Sequence, residues 1–118
     1  MTPETIQRLE EELAIAYSGV SAATDGSRRL LRLPVQFPDG CRPATTEAII
    51  ALDPSATQPQ LHLLEVPALP NGTRPNVGTT TVAGQSWQTF SFNVLWDEGR
   101  HTAVQFVEAK LARFRRAA

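Results

Sequence analysis

Apolar residues recur every three to four positions at both ends of this 118-residue chain and every second position between them. That change of period restricts the fold more than any motif does, because one step suits a helix face and the other a strand face. At the start, Thr2-Pro3-Glu4 supplies an N-cap hydroxyl, a proline at the first helical position and an acidic first turn. Ile6, Leu9, Leu13, Ala16 and Tyr17 then form an apolar stripe, with Gln7, Arg8, Glu11 and Glu12 on the other faces and Gly19 as the stop. Near the end, Val104, Val107, Leu111 and Phe114 form a second stripe, which Asp97 is placed to cap and which runs into Lys110, Arg113, Arg115 and Arg116.

Between these helices, Leu31, Leu33, Val35 and Phe37 alternate with Arg32, Pro34 and Gln36, predicting a strand over 31–37. Pro34 cannot donate to a ladder, so the expected strand is at an edge or bulged. A turn over 38–43 separates it from two short strands over 47–52 and 61–66, which are held apart by the polar, proline-marked stretch 53–59. Prolines and glycines over 67–84 predict a long loop, with room for a short strand at 79–82. Phe90, Phe92, Val94 and Trp96, alternating with Thr89, Ser91 and Asn93, predict a central strand. The expected fold class is α+β in one domain over residues 1–118: an N-terminal helix, an antiparallel meander of about four strands and a C-terminal helix. Both helices would pack on one sheet face and leave the other open to a partner.

An apolar fraction of 42% and a charged fraction of 19% place the chain with folded globular proteins. A net charge of −1 gives no field to draw in nucleic acid or an acidic membrane surface. Its charges are segregated, acidic early and basic late, as the two helix dipoles favour. One cysteine, Cys41, cannot form an internal disulfide, and no apolar run reaches the length of a membrane span. With no basic and apolar leader, a cytoplasmic protein is expected.

The chemistry-bearing residues are few. His62, His101 and Cys41 cannot form a zinc site of the usual type by themselves, so no metal and no cofactor are expected. No Gly-x-Ser-x-Gly elbow and no glycine-rich phosphate loop occurs. Cys41 stands in a turn between Gly40 and Arg42, where exposure and a neighbouring cation would favour the thiolate; the competing reading is a turn cysteine with no role. Trp87 and Trp96 suit core packing or a ligand platform, and the basic cluster suits a solvated helix end or an acidic partner.

Three segments carry a resemblance. The stretch 52–61, with Pro54 and Pro59, resembles the proline-marked segment between the third and fourth strands of the ubiquitin-conjugating (E2-like) fold. Arg74-Pro75-Asn76-Val77 is similar to that family's His-Pro-Asn-Val/Ile tetrapeptide, with arginine in place of histidine. The segment from Trp87 to Trp96, leading into Asp97-Glu98-Gly99-Arg100-His101, looks like that of divergent bacterial relatives. The resemblance implies that Asn76 corresponds to the residue proposed to stabilise the oxyanion of thioester attack. It also implies a missing nucleophile, because Gly84 stands where the family's cysteine would be.

From this follow three readings. The first is a non-catalytic, monomeric or weakly dimeric module that binds a ubiquitin-like modifier or its activating or deconjugating enzyme in a bacterial system, using Arg74, Pro75, Asn76, Trp87 and Trp96. The second is a thiol enzyme with Cys41 as nucleophile and Asn76 as its helper. The third is a small secretion-type chaperone that dimerises through apolar surface.

Overall fold

The computed structural model describes residues 1–90 and 92–116, the side chain of the last of these excepted. It is an α+β fold with a helix at each end and six antiparallel strands between them. Helix α1 (Pro3–Ala16) starts as expected, the Thr2 hydroxyl accepting from the Thr5 amide at 3.1 Å. It ends at the Tyr17 cap, whose N–H donates to the Leu13 carbonyl.

Strands β1 (Ser21–Asp25) and β2 (Arg28–Gln36) form a hairpin. The sequence hides β1 because its small residues lie at an exposed edge and show no alternation. β2 is therefore interior to the sheet, not at its edge. Pro34 is nevertheless tolerated, because β1 pairing ends at Ser21↔Arg32 and the proline ring lies past that end, beside Gly19. β3 (Thr45–Leu52) and β4 (Gln60–Leu63) continue the meander, with Ile50 opposite Leu61.

The stretch expected to be mostly loop forms half of another hairpin, β5 (Val77–Val82) and β6 (Gln85–Phe90). Its two-residue turn holds Ala83 at φ 49° and Gly84 at φ 82°, the doubly left-handed geometry that matches strand twist. Ala83 is strained there, since only glycine and asparagine or aspartate visit this region readily. Replacing Ala83→Asn should raise stability by roughly 0.5–1 kcal/mol, read from urea unfolding.

The sheet order is β1-β2-β3-β4-β6-β5. The expected strand over 90–96 ends at Phe90 instead, and residues 92–96 run without regular structure; Ser91 lies outside the described residues. Their alternation reports burial against a helix, not a ladder. Phe92 packs edge-on against Phe114 at 5.1 Å and Trp96 against Phe106 at 5.7 Å. The Lys110 ammonium satisfies the Phe92 carbonyl. Helix α2 (Ala103–Arg116) is capped by Thr102 and not Asp97: Thr102 accepts from the Gln105 amide while the Gln105 side chain accepts from the Thr102 amide. Asp97 instead closes the preceding turn, accepting from the Gly99 amide, with His101 outside the helix.

Both helices lie on one face, where Leu9 and Leu13 of α1 and Phe106, Val107, Leu111 and Phe114 of α2 meet Leu31, Leu33, Ile50 and Leu63. The reverse face is not left open along its length. There Val82 and Trp87 of the last hairpin are buried with Leu30, Ile49 and Ala51.

Candidate functional site

The loop over 38–43 and the loop over 67–76 are stitched together. Arg42 and Ala68 exchange backbone hydrogen bonds at 3.0 and 2.7 Å. Gly40, at φ 88°, leaves room for the ring of Pro70, which a Cβ there would meet at 3.0 Å. This close approach turns Cys41 inward to join Phe37, Val66 and Leu69 in the core, only 5% exposed. Of the two readings of Cys41, the exposed thiolate is thereby corrected: burial raises the Cys41 pKa, since a low-dielectric surround penalises the charged form.

Asn76 lies at the surface, as does Arg74, with Pro75 half-buried between them. The tetrapeptide thus leads directly into β5, and Gly84 forms the far end of the same hairpin. Cys41 is in the core and Asn76 is exposed, so the two differ in the access that joint chemistry on a substrate requires. Among the described residues, no group of three or more His, Cys, Asp or Glu side chains is placed to hold a metal ion. Nor is any helix there long and apolar enough to cross a membrane.

The two tryptophans have different surroundings. Trp96 is a core residue whose indole N–H donates to the Thr102 carbonyl at 2.8 Å. Trp87 closes the reverse face, where the Arg32 guanidinium lies 5.1 Å from its ring centre. Arg32 also pairs with Glu47 and donates to the Gln85 side chain at 2.9 Å, tying β2, β3 and β6 together across that face. Beside them a cleft of about 170 Å³ runs between β1 and the hairpin turn, lined in part by Ala22, Leu30, Ile49 and Val82. A larger, shallower groove of about 860 Å³ separates Phe37 and Asp39 from Glu108 and Arg115 of α2.

Sequence reasoning passed over Arg32 and Glu47 as solvated positions of their strands and placed Gln85 in none. Pairing of β2 with β3 sets Arg32 beside Glu47, and the fold-over of β5 and β6 adds Gln85, which no local signal announces. His62 is also on the reverse face, opposite Ile49, and its Nδ1 is buried without a hydrogen-bond partner. Desolvation, helped by the positive charges of Arg28 and Lys110, lowers its pKa below the ordinary 6.5. The unfolded chain therefore takes up a proton near pH 6.5 that the folded chain refuses, so stability falls as pH drops through that value and levels off below the folded pKa. His62→Gln should remove this segment of the stability profile, measured by urea midpoints from pH 7.5 down to about pH 5.

Comparison with protein-family models, with curated proteins and with solved structures returns no match to this chain.

Proposed function

We propose that this chain is a non-catalytic, E2-like protein-binding module for a ubiquitin-like modifier, or for an enzyme that activates or removes one, in a bacterial system. One observation carries the reading: the surface tetrapeptide Arg74-Pro75-Asn76-Val77 opens a hairpin whose turn holds Gly84, a residue with no nucleophile, where an active relative would have cysteine. The helix followed by an antiparallel meander is consistent with that scaffold. The sole cysteine gives little support to relocated chemistry, because it is buried and its thiol is held protonated. On this reading Arg74 and Asn76 contact the partner directly, whereas Trp87 holds the hairpin that they lead into and Trp96 is a core residue against Phe106.

The test is titration of isotopically labelled protein with purified ubiquitin-like and activating-enzyme proteins encoded beside it. Saturable shifts centred on the amides of residues 74–77, weakened in Arg74→Ala with Asn76→Ala, are expected. Blank titrations against all of them would remove the reading. A thioester with the modifier, formed in the presence of ATP and activating enzyme, cleaved by added thiol and lost in Cys41→Ser, would replace it with a thiol enzyme.

A further inference from the structure

The sheet has two edges, and they are built differently. β1 carries a charge, Asp25 paired with Arg28, while the Arg29 side chain bonds its direct cross-strand partner Thr24 on the sheet face. Charge and proline are among the usual means by which an edge is kept from pairing with another chain. β5 has neither: Val77-Gly78-Thr79-Thr80-Thr81-Val82 holds no charge and no proline, and its first three residues and Thr81 are exposed.

The register shows which backbone groups that edge presents. In a two-residue hairpin, Val82 and Gln85, next to the turn, exchange hydrogen bonds with each other, and alternate pairs back along the ladder do the same. Val82, Thr80 and Gly78 therefore point their N–H and C=O groups toward β6. Val77, Thr79 and Thr81 point theirs outward, where among the described residues no other strand lies.

We propose that this edge pairs with β5 of a second copy of the chain, antiparallel about a two-fold axis at Thr79, joining two six-stranded sheets into one. That axis sets Thr79 opposite its own copy and Val77 opposite Thr81, so every outward amide meets an outward carbonyl. The strand suits itself as occupant: it brings no like charges face to face, threonine pairs across strands are favourable, and Val77, 41% exposed, gains cover. A strand of six residues makes a small interface, so the dimer is weak and forms by concentration. This inference does not rest on modifier binding, although the two surfaces share Val77: a dimer that binds no modifier, or a monomer that does, would separate them.

Sedimentation velocity of the full chain from about 1 µM to about 500 µM is the test. A mass rising from monomer to dimer is expected, with Thr79→Lys raising the dissociation constant at least tenfold by placing two ammonium groups across the axis, and Thr24→Glu on the β1 edge, opposite Arg29, leaving it unchanged. Hydrogen exchange on the unsubstituted chain provides a second readout, in which the amides of Val77, Thr79 and Thr81 slow as concentration rises. A monomer throughout that range, a dimer equally strong in Thr79→Lys, or concentration-dependent protection at β1 instead would each overturn the proposal.

Discussion

Replacing Phe114→Ala should cost about 3–5 kcal/mol of folding stability, a large part of what a domain of this size has to lose. Phe114 is fully buried, and its ring centre lies 5.3 Å from that of Phe37, 5.3 Å from Phe90 and 5.1 Å from Phe92. It thus joins the last turns of α2 to the residue after β2, the end of β6 and the irregular segment that follows. Removing it forfeits the transfer energy of an aromatic ring and leaves a cavity whose walls belong to three different elements, which cannot all close inward together. Phe114→Leu keeps most of the volume and should cost about 1–1.5 kcal/mol. Urea unfolding followed by tryptophan fluorescence reads both, with the midpoint moving and the slope unchanged. A loss below about 1 kcal/mol for the alanine variant would mean that the end of α2 is not docked on the sheet.

That cluster also marks where the sequence is legible and where it is not. Both helices could be read because an amphipathic stripe is local, as with Leu9 and Leu13, and at α1 the cap was legible too, with Thr2 and Pro3 in one turn, whereas at α2 Thr102 takes the place expected of Asp97. β2 could be read because the residues that alternate also face a helix-covered core, and β3 because it is a short apolar run between turns, with Ile49 and Ala51 buried on the reverse face and Ile50 and Leu52 in the core. Alternation, however, reports only which side chains go inward. Phe90, Phe92, Val94 and Trp96 alternate, yet beyond Phe90 the segment packs on α2 and forms no ladder. Conversely, β1 and β5 pair well while showing little alternation, since an edge strand exposes most of its side chains.

The same limit governs the candidate site. Arg74, Asn76 and Gly84 could be singled out from their spacing, and their exposure and turn geometry follow from the hairpin that contains two of them in its flank and turn. The burial of Cys41 could not be anticipated, because it depends on Gly40 meeting Pro70, a contact between loops thirty residues apart in the sequence. Nor could Arg32, Glu47 and Gln85 be recognised as a group, being drawn from β2, β3 and the start of β6. A site made of one continuous segment can be read from spacing; one made by folding a hairpin across a sheet cannot.

Trp87 is where that fold-over can be tested, and two substitutions there should behave very differently. Its indole is 1% exposed and covers Leu30, Ile49 and Ala51, while its N–H is buried with no hydrogen-bond partner. Trp87→Ala forfeits the ring and its contact with Arg32, a loss of about 3–5 kcal/mol, and regains part of it because an orphaned donor disappears too. The net cost should be about 2–4 kcal/mol. It should fall unevenly: β6 joins β4 through one residue pair, Leu63↔Gln88, so without Trp87 the hairpin is the part of the sheet held most weakly. Amides of residues 77–90 should then exchange well before those of β2 and β3. Trp87→Phe keeps an aromatic cover and discards the orphaned N–H, so the two changes offset and stability should stay within about 1 kcal/mol of the parent. Equal losses in the two variants would show that the indole N–H has a partner after all, such as a buried water, and that the polar atom, not the ring, anchors the hairpin to the reverse face.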